Sequence, residues 1–255
     1  MRPSQKALRQ PTGPVEVDWS NPLARSLVLC VPFNTGGTAE IVGQSLVTPQ
    51  GTMPGWSAQA AGRGRGTFAG LDRLNSIATT SLGTSFTLFS AATRYSTGAV
   101  HGMMGRDANP PRHYQFRVKD TNVPEFIRFN TTSSAYFATG TTTVGIGPFT
   151  MAATSNGTAM AVYLNGRSDA TGTITGTPSS PDNAVRLGLS FDVLSTDSRF
   201  NGVLHVCLAW TRVLSATEIQ EISLAPWQIV RPRRQRVWVE VGGTTVSVAG
   251  VIAGV

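Results

Sequence analysis

Two Asn-Gly pairs, Asn156-Gly157 and Asn165-Gly166, punctuate the stretch from Phe149 to Thr173. Asn and Gly tolerate the positive φ angles of the tight turn whose twist matches a pair of antiparallel strands. The run Phe149-Thr-Met-Ala-Ala-Thr154 precedes the first pair. The alternating run Ala159-Met-Ala-Val-Tyr-Leu164 precedes the second. Local chemistry therefore commits this stretch to hairpins, and short strands need further strands and a facing layer to be stable.

The rest of the chain has the same texture. Short apolar or alternating runs recur at 26–33, 75–79, 85–95, 101–106, 114–119, 126–130, 135–139, 185–190 and 203–210, with no internal repeat. Charged residues make up only 14% of the 255 residues and Gly occurs 27 times, which suits strands joined by tight turns rather than solvated helices. The expected architecture is an all-β, two-sheet sandwich. Gly62-Arg-Gly-Arg-Gly66 reads as a turn, because no helix follows to lend a phosphate its N-terminal dipole.

One helix is written into this pattern. Ser215-Ala-Thr-Glu218 is a capping box, in which the Ser215 hydroxyl accepts from the third helical amide and Glu218 reaches back to the Ser215 amide. Ile219, Ile222 and Leu224 form its apolar stripe, and Pro226 stops it.

Six segments resemble, in order, the laminin-G/concanavalin A-like superfamily. They are LVLCVPFN, GTFAGLDRLNSIAT, SFTLFSAATRY, FTMAATSNGTAMAVYLNGRSDATGT, VRLGLS and FNGVLHVCLAWTRVLSATEI. The resemblance covers about residues 26–224. It implies a jelly-roll sandwich with one short helix after the last strand. The flanks VDWSNPLARSLVLCVPFN and APWQIVRPRRQRVWV look like sequences bordering such domains in structural proteins of tailed bacteriophages. That likeness implies a virion protein, placed as a capsid decoration or a tail or fibre accessory.

The family's chemistry transfers poorly. Members that bind cations use loop acids, and calcium wants six to eight oxygen ligands. His205 and Val206 stand where the family often carries two acids, and only Asp192, Asp197 and Asn201 form a local cluster, so no metal or other cofactor is expected. Glycosidic cleavage needs two carboxylates across the bond, and no strand offers an alternating acidic run. His101, His113 and His205 lie in no catalytic motif; His205 alternates with Cys207 and Ala209 and reads as a packed residue. The expectation is a protein that is not an enzyme, with polysaccharide cleavage the last of three readings. As a host-glycan adhesin, the second reading, its exposed ring platforms are Trp56 and Tyr136, while Tyr163 and Trp210 read as core.

The ends read differently from the body. The formal charge of +7 divides into +2 over residues 1–25, +3 over 231–255 and only +2 over the long centre, which argues against a nucleic-acid platform. No run approaches the roughly 20 apolar residues of a membrane span. No apolar stretch follows Met-Arg-Pro-Ser-Gln-Lys, so no export signal is expected. Cys30 and Cys207 each sit in a strand pattern, as buried thiols or as a bridge between neighbouring strands. The expected division is an extended arm at 1–22, the sandwich at 23–225, and a basic, strand-forming tail at 226–255. Arg231, Arg233, Arg234, Arg236 and Trp238 are the expected partner-binding residues, directed at other virion proteins. The uncharged strand-former after Thr244 calls for a homo-oligomer, with a trimer as the simplest arrangement.

Overall fold

The computed structural model describes residues 10–11, 13–33, 41–42, 47–49, 55–56, 66–68, 74–76, 82–107, 112–180, 185–189, 200–233, 235–241 and 244–250. Their strands are β1 (Val15–Val17), β2 (Leu27–Val31), β3 (Val47–Pro49), β4 (Gly55–Trp56), β5 (Gly66–Phe68), β6 (Leu74–Ser76), β7 (Ser85–Arg94), β8 (His101–Asp107), β9 (Arg112–Val118) and β10 (Pro124–Phe129). They continue with β11 (Ala135–Thr139), β12 (Gly147–Asn156), β13 (Ala159–Leu164), β14 (Arg167–Thr173), β15 (Arg186–Leu187), β16 (Gly202–Trp210), β17 (Val230–Pro232), β18 (Gln235–Val241) and β19 (Thr244–Gly250). The helix α1 spans Ala216–Leu224.

Two antiparallel sheets face each other. One runs β11-β10-β9-β8-β15-β6-β3, and the other runs β14-β13-β12-β7-β16-β5-β4, with β2 pairing the second half of β16. The hairpins follow their turn chemistry. Gly157 has φ +60°, and Asn165 and Gly166 both have positive φ, at +50° and +79°. β7 shows how one strand serves two cores, because its side chains alternate between faces. Phe86, Leu88 and Ala92 enter the main core between the sheets, with Met104, Tyr114, Phe116 and Phe126 opposite. Phe89 and Ala91 point the other way, into a second cluster on the outer face of the eight-stranded sheet.

That second cluster is closed by α1 and by both ends of the sandwich. Ser215 Oγ accepts from the Glu218 amide at 3.3 Å, and Glu218 Oε2 accepts from the Ser215 amide at 2.8 Å. The box starts a helix that buries Ile219 and Ile222 completely against the sheet. Leu224, expected on the same stripe, is instead 61% exposed. Ahead of β2, Asn21 caps a single 3-10 turn, Pro22–Ala24, accepting from the Leu23 amide at 2.9 Å. Its Nδ2 donates to the Gln228 carbonyl at 3.0 Å. The Leu23 carbonyl accepts from Trp210 Nε1 at 2.7 Å, so a fully buried indole keeps its hydrogen bond.

The ends depart from the expected free arms. β1 pairs antiparallel with β17, Val17 opposite Val230, and the Asp18 amide donates to the Ile229 carbonyl. Val17, Trp227 and Ile229 lie in the same buried cluster as Trp210 and Ile219. Packing therefore crosses both expected borders, at residue 22 and at residue 226. The two cysteines are free and buried. Cys30 faces Leu208 across the ladder and joins the outer cluster, whereas Cys207 faces Val31 and joins the main core. A one-residue offset between neighbouring strands sends the thiols to opposite faces, so the bridge does not form.

Candidate functional site

Where the end of α1 meets the start of β12, the β13–β14 turn and β16, the outer face opens into a groove of about 450 Å³. Its floor is Ala91, on the outer face of β7, and Pro226, Trp227 and the exposed Leu224 form an apolar wall. Thr150, Asn165, His205 and Ser223 bring polar groups. No carboxylate lines it among the described residues.

Each polar group is placed by a local device. His205 stands at a bulge in β16, where the pairing with β7 steps from Leu204–Ala92 to Val206–Ala91. The extra residue breaks the alternation. His205 therefore does not share the face of Cys207 and Ala209 that simple alternation assigns to it. Its Nε2 and Thr93 Oγ1 share a 2.9 Å hydrogen bond on the groove side. Asn165 holds the left-handed turn position, and its Oδ1 accepts from the Thr150 amide at 3.0 Å. Gly166 lets this turn approach the helix, since an added Cβ would lie 3.0 Å from Gln220 Cα. Ser223 Oγ is buried with no hydrogen-bond partner among the described residues. Such a hydroxyl is costly unless something polar reaches it.

Other buried polar groups lie inside the sandwich, away from the groove. Arg128 Nη1 donates to Ser155 Oγ at 2.7 Å and Nη2 to the Ser179 carbonyl at 3.0 Å, with the guanidinium 4.6 Å from the Phe86 ring centroid. Burial lowers this guanidinium to about 10 and pushes the Tyr114 hydroxyl up. His113 is held well below the ordinary imidazole value by burial and then by Arg128 and Arg106. Cys207 is pushed up to about 12 by burial. His101 is lowered to about 4 by burial and then by Arg94, and its Nδ1 accepts from the Asn201 amide at 3.2 Å. Arg128 and His101 tie separate segments together inside the fold, and none of these groups lines the groove.

The residues expected from sequence scatter. Trp56 lies on β4 opposite Gly66, at the end of its sheet, and its side chain lies outside the described residues. Tyr136 is half-buried rather than an open platform; its ring rests on the main core and its hydroxyl accepts from Asn130 Nδ2 at 3.3 Å. Asn201 Nδ2 donates to Ser96 Oγ at 3.0 Å, while Asp192 and Asp197 lie outside the described residues. Among the described residues no three His, Cys, Asp or Glu gather as a metal site. Arg231 meets acids of its own chain, Glu16 at 2.8 Å and Asp18 at 3.5 Å. The exposed Arg233 donates its amide to the Pro14 carbonyl. Arg234 lies outside the described residues, and Arg236 and Trp238 fall on β18, their side chains undescribed. The groove residues were missed: a bulge leaves no mark in sequence, and Trp227 becomes a wall only through a fold-back of the chain.

A family model described as the concanavalin A-like lectin/glucanases superfamily (Laminin G type) matches residues 69–220. Domain 4 of AbnA, a GH43 extracellular arabinanase from Geobacillus stearothermophilus in complex with arabinotriose, is similar at TM-score 0.62 and 12% identity, covering 78% of this chain and 98% of that one. The binding domain of Paraclostridial Mosquitocidal Protein 1 gives TM-score 0.63 at 11% identity, covering 81% and 53%. The receptor-binding domain of botulinum neurotoxin type G gives TM-score 0.56 at 12% identity, covering 78% and 51%. This chain thus spans about half the length of the two toxin domains. Identities this low speak for a shared fold. No curated protein matches the sequence.

Proposed function

We propose that this chain, which belongs to the concanavalin A-like lectin/glucanases superfamily, is a non-catalytic carbohydrate-binding module carried on the particle of a tailed bacteriophage. The observation that carries the binding reading is the groove. An apolar floor and wall stand beside neutral amide, imidazole and hydroxyl groups, with no carboxylate among the described lining residues. Sugars are recognised by such a mixture, apolar CH faces on aromatic edges and hydroxyls on fixed polar groups. Among the described residues, acid–base cleavage of a glycosidic bond has no carboxylate pair to run on there. The AbnA domain is described in complex with arabinotriose, and the toxin domains as binding domains, which supports the same class of ligand here.

The particle-borne part rests on the flanking segments that resemble phage structural proteins. β1 and β17 lie side by side, so both flanks leave the module at one place. Mounting from one place leaves the rest of the surface open to a host glycan. The mounting segments are then residues before Gln10, whose Nε2 donates to the Phe33 carbonyl at 2.9 Å, and after Arg233, shorter than sequence alone implies, and they meet other virion proteins and further copies of this chain.

A glycan array probed with the labelled full chain tests the binding. Hits should weaken about tenfold, the loss of one good hydrogen bond to a ligand, in His205→Ala and in Asn165→Gly, which tolerates the positive φ of the turn, with the β-sheet circular dichroism kept. No hit on any neutral or acidic glycan sinks the binding reading, and release of reducing sugar from a bound polysaccharide sinks its non-catalytic part. Mass spectrometry of purified phage particles tests the location; absence from the particle refutes it.

A further inference from the structure

We infer that two copies of this chain associate edge to edge through β18, antiparallel and centred on Trp238. β18 and β19 form a sheet of two strands, with Val237 opposite Val248 and Val239 opposite Val246. A two-stranded ribbon is marginal alone in water, and three or more strands are needed for independent stability. β19 occupies one edge of β18; among the described residues the other edge has no partner strand. An open edge is a template for another strand.

The sequence of β18 selects the occupant. Arg236-Val-Trp-Val-Glu240 reads the same in chemical kind from either end, except that the terminal charges are opposite. Antiparallel pairing about Trp238 sets Arg236 against Glu240 of the second copy, and Glu240 against its Arg236. It sets Val237 against Val239 and Trp238 against itself. Opposite charges across a ladder stabilise it and like charges destabilise it. The valine row of one hairpin then runs on into the valine row of the other, giving a four-stranded sheet, β19-β18-β18-β19. The other open edge, Thr244-Thr-Val-Ser-Val-Ala-Gly250, carries no charge and specifies no register. The association is two-fold and isologous. A three-fold axis cannot bring a strand antiparallel to itself, so the geometry favours a dimer over the trimer taken from sequence.

The test is sedimentation equilibrium of the full chain and its charge variants. Wild type should reach twice the 27.0 kDa of one chain. Arg236→Glu and Glu240→Arg, each creating two like-charge contacts about the dyad, should each weaken association about tenfold or more. The double variant should recover it. The two single variants, when mixed, should form a heterodimer, because each then offers the charges the other needs. A monomeric or trimeric wild type overturns the inference. So do single variants that dimerise as well as wild type, a double variant no better than the singles, or a dimer that survives deletion of 234–255. Pairing with a different virion protein alone would appear as a monomer here and also overturns it.

Discussion

Two truncations separate the part of the C-terminal segment that belongs to the fold from the part that leaves it. Deleting 226–255 removes Trp227, 7% exposed, and the fully buried Ile229 from the cluster around Trp210, Ile219 and Ile222. It takes from β1 its partner strand, from Asn21 Nδ2 the Gln228 carbonyl, and from the Asp18 amide the Ile229 carbonyl. Truncating a buried Trp costs about 3–5 kcal/mol and a buried Ile about 2–5, so the loss is at least about 5 kcal/mol. Native stability is only about 5–15 kcal/mol. At roughly 2–4 °C per kcal/mol for a domain of this size, the melting temperature should fall by about 10 °C or more. Deleting 234–255 instead leaves every one of these contacts and should shift it by less than about 2 °C on the same scale. Circular dichroism melts and urea titrations of both truncations measure the difference. Equal curves for the two would refute the reasoning, because Trp227 and Ile229 would then contribute nothing to the cluster. Trp227→Ala in the full chain isolates the ring and should cost about 3–5 kcal/mol.

Three further outcomes follow from particular groups. Ser215→Ala should lower stability by about 1 kcal/mol through the lost cap and leave the β-sheet circular dichroism unchanged; no change in the urea midpoint would mean that the box does not hold α1. His101 has an ordinary value of 6.5 and sits at about 4 in the fold, through burial and then Arg94. As pH falls through 6.5 the unfolded chain takes a proton that the folded chain refuses until about 4, so stability drops across that window, by about 3 kcal/mol at its end. His101→Gln should make that part of the profile shallower, with the buried His113 keeping its own contribution in the same direction, and parallel wild-type and variant profiles would reject the assignment. The Cys207 thiol, pushed up to about 12, and the buried Cys30 should resist thiol reagents until denaturant is added, and rapid native-state labelling of either would contradict their placement.

What could be read in the sequence was whatever is decided within a few residues. The turns at Asn156-Gly157 and Asn165-Gly166 need positive φ, and their residue types announce it. The box at Ser215–Glu218 closes within one helical turn. The run at 159–164 coincides with β13 because alternation is a property of the strand itself. What could not be read depends on partners far along the chain. Nothing near Asn21 announces the Gln228 carbonyl, and nothing in Val15–Val17 announces Val230–Pro232. Tyr136 looks like a free ring because its burial comes from the core beneath it. The bulge at His205 shifts the pairing by a single residue, and that slip alone moves the imidazole from the core side to the groove.

The same long-range contacts make the groove and the chain ends one mechanical unit. Pro226 and Trp227 form the groove wall, and three residues on the chain enters β17, which is held by β1 and by the Arg231–Glu16 pair. That pair is exposed and worth little by itself. The burial of Trp227 and Ile229 dominates, so the wall is set chiefly by packing and only slightly by charge. Salt that screens the arginines should therefore loosen contacts made beyond Arg233 while leaving the groove intact. A load on the tail, by contrast, reaches the groove only by pulling β17 from β1 and Ile229 from its cluster. The hydrophobic contacts that close the outer face of the sandwich thereby shield the groove from a load on the tail.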